Sequence, residues 1–216
     1  SCEKDFSSCS GPSSGLSVAG TFDDTTPKVA ITHALNEDVN IYASFTQGFR
    51  SGSFDARART IDSFLNSQPG PEEVTSIELG LKSTFNDGKV LLNIALFQAD
   101  YDDIQKLALE ECDVNIDTCP SGRIQRLINA AKATIEGIEI ETKLSVTDQL
   151  SIEGSLGYTD AGFDEFLGFD ADGVRGYDPV TDPIAAAALK FERVPELTYN
   201  IMANYFQPLA NGAELD

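Results

Sequence analysis

Apolar and polar side chains alternate along four separate segments of this chain. Every second residue is apolar from 39 to 46, and the same period recurs at 75–81, 150–158 and 197–205. A period of two places alternate side chains on opposite faces of a β-strand, whereas an amphipathic helix has a period near 3.6. The pattern therefore predicts an all-β fold.

The connections between these segments alternate between short and long. Short turn sequences lie at residues 36–38, 86–88, 147–149 and 210–212, and long irregular stretches lie at 50–71, 111–122 and 163–195. Asn-Asp-Gly and Asn-Gly favour the positive φ that tight hairpins require. Outer-membrane barrels show the same alternation, with short periplasmic turns and long extracellular loops.

The segments predict about seven or eight antiparallel strands. The expected strands are residues 17–35, 39–49, 73–85, 89–109, 127–146, 150–163 and 197–206. Two of them, 89–109 and 127–146, exceed the roughly 9–11 tilted residues that cross a bilayer, so their ends are expected to project beyond it. We expect an antiparallel transmembrane β-barrel, of which this chain supplies only a part.

The faces of these strands also differ in charge. Glu78 and Lys82 share the polar face of one predicted strand, and Glu139 and Glu141 share that of another, while Glu136 falls on the opposite face. Charged residues on a lipid-facing surface cost several kcal/mol, so the polar faces are expected to line a barrel interior.

Composition limits the partners. The 216 residues carry 35 acidic and 15 basic side chains, a formal net charge of -20. Nucleic-acid binding depends on clustered Lys and Arg, so nucleic acid is excluded as a partner. The acid of residues 160–182 is explained either by solvated loops or by divalent cations that bridge it to lipopolysaccharide.

Four cysteines form two closely spaced pairs, Cys2 with Cys9 and Cys112 with Cys119. Neither spacing matches a Cys-x-x-Cys redox or zinc motif. Two local disulfides in an oxidising compartment are the expected arrangement, and a four-thiolate metal site is the alternative.

Four sequence motifs resemble those of TonB-dependent outer-membrane receptors. They are VNIYASFTQGFRSG at 39–52, PEEVTSIELGLKS at 71–83, FQADYDDIQ at 97–105 and NAAKATIEGIEIE at 129–141, in the order the family has them. The resemblance implies part of a barrel of about 22 strands around an N-terminal plug. It also implies a Gram-negative outer membrane and import of a scarce nutrient such as siderophore-bound iron, cobalamin or carbohydrate.

On this resemblance, residues 1–216 are all barrel and the plug lies outside them. The implied partners are the TonB complex acting through that plug, the nutrient, and the lipid and lipopolysaccharide of the outer membrane. Two other hypotheses stay open. One is a secreted or surface β-sandwich or adhesin with acidic, calcium-binding loops, and the other is a passive porin.

No enzyme is expected, because no G-x-S-x-G, H-E-x-x-H or P-loop pattern occurs. The single histidine, His33, has no Cys or Asp partner at ligand spacing, so a structural role is expected for it. No cofactor is expected apart from calcium at the surface.

Two sets of residues are candidate binding sites. Arg50, Arg57 and Arg59 begin a long loop and suit an anionic ligand such as a ferric siderophore, with loop charge balance as the alternative. Asp170 and Asp172 precede Gly173 as in a calcium loop. The EF-hand pattern fails, because its first position falls on Gly168 and its twelfth on Pro179.

Overall fold

A computed structural model describes residues 19–54, 64, 67–111, 123–166, 191, 193–208 and 214–215. In that part of the chain, seven strands form one antiparallel sheet in which every strand pairs with its neighbours in sequence. The strands are β1 (Lys28–Ala34), β2 (Val39–Arg50), β3 (Glu72–Phe85), β4 (Val90–Glu111), β5 (Arg123–Ser145), β6 (Leu150–Phe166) and β7 (Leu197–Tyr205). A separate two-stranded piece pairs β8 (Gln207–Pro208) with β9 (Glu214–Leu215).

The all-β prediction and the count of strands are confirmed, with one clear error at the start. β1 begins at Lys28, not at residue 17. The sequence Asp-Asp-Thr-Thr-Pro immediately before it explains the difference. Asp24 accepts a hydrogen bond from the Thr25 amide, and Pro27 has no N–H to donate to a strand ladder.

Three short turns join the strands at one end of the sheet. Asn86, Asp87 and Gly88 have φ of 55°, 54° and 85°, which makes a tight reversal between β3 and β4. The Thr147 hydroxyl accepts hydrogen bonds from the amides of Gln149 and Leu150 in the turn before β6. The turn expected at residues 210–212 lies outside the described residues.

The two faces of the sheet have the opposite arrangement from a water-soluble protein. On β2 the polar side chains of Asn40, Tyr42 and Ser44 are half-buried, whereas Ile41 and Ala43 are exposed. We call the polar side the inner face and the apolar side the outer face. This confirms the face assignment expected from the alternation, including Glu78 and Lys82 inside and Glu136 outside.

The outer face carries a continuous belt of exposed apolar side chains across all seven strands. Ile41 is 38% exposed, Leu79 53% and Ile201 77%, so these residues are not sealed between two stacked sheets and the β-sandwich alternative is wrong. Other members of the belt are Val29, Ile31, Ile77, Leu96, Leu144, Ile152, Leu156, Tyr158, Leu197 and Tyr199. In the described part of the chain, no helix is long and apolar enough to cross a membrane.

The belt ends abruptly along one line of the outer face. Gln47 pairs there with Thr75 across β2 and β3, and Gln98, Glu136 and Asp160 pair in turn across β4, β5 and β6. We call these five residues the polar border. Beyond this border Asp100 is hydrogen-bonded to Gln98 and Thr134 on the outer face, while Phe49 of β2 is an exposed apolar residue there. The border marks where lipid would give way to water on the side opposite the short turns.

β4 and β5 continue past their neighbours, as expected from their length. The last residue of β4 that pairs with β3 is Asp102, and the last residue of β5 that pairs with β6 is Ala131. Residues 105–111 and 123–129 therefore pair only with each other as a two-stranded ribbon. At about 3.3 Å per residue, its seven-residue strands extend roughly 20 Å. The ladder has register shifts between Tyr101 and Gln105 at the base of the ribbon.

Candidate functional site

The base of the ribbon holds the most enclosed apolar residues described in the chain. Ile104, Ala131, Ala133 and Phe166 are each less than 8% exposed. Tyr101, Phe163 and Phe191 pack against them. The register shift after Tyr101 turns Ile104 to the inner face, where its side chain meets this group. The rim beyond the polar border therefore has a core of the ordinary, water-excluding kind.

Three phenylalanine rings and a lysine form the inward side of this rim. Phe163 stacks on Phe191 with 4.2 Å between ring centroids, and Phe166 meets Phe163 edge-on at 5.2 Å. The Lys106 ammonium lies 5.6 Å from the Phe163 centroid and 5.8 Å from that of Phe191. We call Lys106, Phe163, Phe166 and Phe191 the rim cluster. A cation beside aromatic faces suits a ligand with flat rings and negative charge.

On the other side of the ribbon, Gln105 is bonded to the connection between β2 and β3. Its side chain is 7% exposed, and its Nε2 donates to the carbonyl oxygens of Ser51 at 2.8 Å and Gly70 at 3.0 Å. Its Oε1 accepts from the Ser53 hydroxyl at 3.2 Å. Its backbone amide donates to Glu72 Oε2 at 2.9 Å. One residue of the ribbon thus contacts both ends of this connection.

Asn129 lies opposite Gln105 in the ladder and binds the same connection. Its Oδ1 accepts from the Gly70 amide at 2.7 Å, and its Nδ2 donates to the carbonyl oxygens of Gly70 and Pro71 at 3.2 and 3.3 Å. Nδ2 also donates to the Asp103 carbonyl at 2.6 Å. Asp103 has φ of 55°, so the irregular backbone of β4 directs this carbonyl to the asparagine.

Of the three arginines predicted to attract an anionic ligand, only Arg50 lies within the described residues. Its guanidinium is 3.9 Å from Glu72 Oε2, and its side chain is 67% exposed against 16% for Glu72. Arg50 therefore stands at the rim with one carboxylate beside it. Arg57 and Arg59 lie outside the described residues, as do Asp170, Asp172 and all four cysteines, Cys2, Cys9, Cys112 and Cys119.

The inner face below the rim is lined by paired polar side chains. The Tyr42 hydroxyl donates to Glu78 at 2.6 Å, and Lys82 lies 5.5 Å from the Tyr42 ring centroid. This ring lies over Gly80, where any added Cβ would overlap it. Further toward the turns, Lys143 pairs with Glu153 at 2.6 Å along an open depression of about 420 Å³.

One ion pair lies on the outer face beyond the polar border. Lys132 Nζ is 2.9 Å from Asp102 Oδ1, and both side chains are about half exposed. The hydrogen bond from Lys132 to Asp102, together with their opposite charges, raises the pKa of Lys132 above its ordinary value. Among the described residues, no group of three or more His, Cys, Asp or Glu side chains is placed to hold a metal ion.

Sequence reasoning missed the residues that build the rim. Gln105 stood at the end of a recognised motif and Asn129 at the start of another, but nothing in the alternation pointed to their shared partner, Gly70. The only available signal was polar amide residues at strand positions next to a long connection. Lys106, Phe163 and Phe191 meet only after the register shift, which the sequence did not reveal.

Comparison with known proteins gives one consistent result. The family model described as "TonB dependent receptor-like, beta-barrel" matches residues 5–215. The ferric yersiniabactin uptake receptor FyuA from Yersinia pestis superposes with a TM-score of 0.56 at 16% identity over 86% of this chain. The alcaligin outer membrane receptor FauA from Bordetella pertussis gives 0.51 at 21% over 87%.

A third match is the ferric preacinetobactin receptor BauA from Acinetobacter baumannii, with a TM-score of 0.54 at 18% identity over 86% of this chain. The chain spans about a quarter of the length of these proteins: 23% of FyuA, 27% of FauA and 23% of BauA. Likeness at this level of identity establishes a shared fold, and the family match covers almost every residue.

Proposed function

This chain belongs to the TonB-dependent receptor β-barrel family of the Gram-negative outer membrane, and from that premise we propose that it forms part of a receptor that captures a scarce nutrient at its extracellular rim. The observation that carries the proposal is the reversal of the two faces, with exposed apolar side chains outside and paired polar ones inside. Such a surface is stable when lipid covers the outside and a hydrated or protein-filled space lies within.

Siderophore-bound iron is the proposed nutrient. FyuA and BauA are named as receptors for ferric siderophores, and their barrels share this fold. The rim cluster supports the assignment chemically, because its aromatic faces and Lys106 suit a complex with flat rings and anionic groups. Arg50, whose side chain is 67% exposed, adds a second cation at the same end of the sheet.

The proposed energy source is the TonB complex, acting through a plug outside residues 1–216. The hydrogen-bonded and ion-paired inner face supports this part of the proposal, because a folded polar domain can pack against such a wall. The reaction is binding and movement of the nutrient, with no covalent chemistry.

Uptake of radioactive iron tests the function. Cells that lack their other iron receptors would express the intact protein and be supplied with ferric hydroxamate, catecholate or mixed siderophores. We expect one class to be taken up in cells with TonB and not in cells without it. Uptake that persists without TonB would identify a passive porin, and no uptake of any class would reject iron as the nutrient.

Two single substitutions locate the binding surface. Lys106→Ala is expected to weaken ferric siderophore binding about five- to tenfold, because a cation near aromatic and anionic groups contributes about 1 kcal/mol or more. Lys132→Ala removes a lysine from the outer face and is the matched control, with no expected effect on binding. Equal affinities for the Lys106 variant and the unmodified receptor would place the ligand elsewhere.

A further inference from the structure

The ribbon of β4 and β5 needs support at its base. A two-stranded ribbon with no third strand is only marginally stable in water. The ribbon loses β3 as a partner beyond Asp102 and β6 beyond Ala131, so its base is where neighbouring structure must hold it. The rim cluster supplies contacts on the side of β6.

On the side of β3, the support comes from the connection between β2 and β3. Residues 51–71 form this connection, and 51–54, 64 and 67–71 of it are described. The segments 51–54 and 67–71 meet at its base. The Ser53 amide donates to the Pro69 carbonyl at 3.2 Å, which joins the outgoing and returning parts. Gly52 leaves room for this approach, since a Cβ there would lie 2.7 Å from the Pro69 oxygen.

We infer that the side-chain amides of Gln105 and Asn129 act as a clamp that makes the base of this connection, residues 51–54 and 67–71, move as one body with the ribbon. Gln105 Nε2 reaches Ser51 on the outgoing part and Gly70 on the returning part, so a single amide ties both. Asn129 binds the N–H and the C=O of Gly70 together, as a neighbouring strand would. The two residues are paired in the β4–β5 ladder, so the clamp spans both strands of the ribbon.

The NH2 group of each amide has its hydrogen bonds within the clamp, and each amide oxygen accepts one hydrogen bond. Gln105 has two donors and each bonds a carbonyl of the connection, while its oxygen accepts from Ser53. Asn129 accepts at Oδ1 and donates to three carbonyls, those of Gly70, Pro71 and Asp103. Gln105 is almost completely enclosed, and an enclosed amide that lost its partners would have no water to replace them. A state in which these hydrogen bonds are broken is therefore disfavoured.

The clamp has a consequence for both candidate binding elements. Arg50 lies at the start of the connection, with its partner Glu72 bonded to the Gln105 amide, and Lys106 directly follows Gln105 in the ribbon. A ligand that contacts either cation would displace the other with it. This use of the clamp in capture rests on the proposed function, whereas the clamp itself does not.

Amide hydrogen exchange of the intact receptor in lipid nanodiscs tests the clamp without any ligand. Gln105→Met and Asn129→Leu keep the side-chain size and remove the polar atoms. Each is expected to speed exchange of the Gly70 and Ser53 amides about tenfold, because each removes two or more hydrogen bonds. Gln98→Met is the matched control, since Gln98 bonds only Asp100 among the described contacts, and should leave both rates unchanged.

Amides of the lipid-facing strands, such as those of Leu79 and Leu96, provide the internal reference. They should not change in either clamp variant. Unchanged Gly70 and Ser53 rates, or an equal rise at Leu79 and Leu96, would overturn the inference. Ser53→Ala removes a single hydrogen bond of the clamp and is the milder variant if the others fail to fold; a two- to threefold rise is expected, and no rise would count against the clamp. Failure of iron uptake leaves these outcomes unaffected, so the two proposals fail separately.

Discussion

Apolar side chains of the same strand are exposed on one side of the polar border and buried on the other. Below it, Leu96 of β4 is 50% exposed on the outer face. Above it, Ile104 of the same strand is 7% exposed within a packed apolar group. The lower region needs an apolar solvent around it, whereas the upper region excludes water by itself.

The two regions also differ in regularity, and the difference has a physical cause. Below the border, every pair of strands keeps a strict register, because a slip of one residue would turn each apolar side chain inward. Above it, register shifts at Tyr101–Gln105 and at Lys132–Ala133 direct side chains to partners that strict alternation would not reach. A lipid-facing surface therefore requires strict alternation, whereas the strands beyond the border can shift register to form specific side-chain contacts.

The largest loss of stability is expected from a charge placed in the belt. Leu79→Arg puts a guanidinium on the outer face in the lipid-facing region, and we expect a loss of about 2–4 kcal/mol of folding free energy. Thr75 lies on the same face of β3, four residues from Leu79, at the polar border. Thr75→Arg should reduce the folding free energy by only about 0–1 kcal/mol. Denaturant unfolding of the receptor in lipid vesicles measures both. Equal losses would mean that the belt does not face hydrocarbon.

Removal of a rim aromatic ring should affect only the upper region. Phe163→Ala deletes the stacking contact with Phe191, the edge contact with Phe166 and the cation–π contact with Lys106. A local loss of about 2 kcal/mol is expected, less than for a fully buried ring because Phe163 is half-buried. Hydrogen exchange of the Ile104 and Ala131 amides should rise while that of Leu79 stays constant. A uniform rise along β3 would show that the two regions are not separable.

A methyl group added on the inner face is expected to reduce stability less than a charge in the belt does. Gly80→Ala forces the Tyr42 ring aside and breaks its hydrogen bond to Glu78, with an expected loss of about 1–2 kcal/mol. Gly154→Ala is the control, because the atoms nearest a Cβ there are 3.5 and 3.7 Å away. Vesicle unfolding compares the two variants, and a cost at Gly154 as large as that at Gly80 would contradict the role of the Tyr42 ring.

The smallest effect is expected at the exposed ion pair. Asp102→Asn should leave stability at neutral pH almost unchanged, because both side chains are about half exposed. It should return the pKa of Lys132 toward its ordinary value, which NMR titration can follow. Since the folded state raises this pKa, the contribution of the pair is present at neutral pH and disappears as pH rises through the titration of Lys132. An unchanged titration in the variant would show that Asp102 is not the cause.

The sequence predicted the lower region far better than the rim. Alternation in β2 and β3 fixed which residues face outward, and the turn at Asn86–Gly88 could be identified from its composition alone. The rim depended on Asp103, whose positive φ lies inside a strand where its residue type alone does not predict it, and on Gly70, whose partners lie 35 and 59 residues away. Contacts set by irregular backbone carry no periodicity, so pattern reasoning did not find them.

The consecutive strand order has a kinetic consequence. Each of the seven strands pairs only with strands next to it in sequence. Its backbone hydrogen bonds therefore do not depend on a strand from elsewhere in the sequence order. Loop-closure entropy is therefore small at the three short turns, and hairpins are expected to form early and join edge to edge. Such a sheet can be assembled progressively from one side, with each completed hairpin serving as the template for the next.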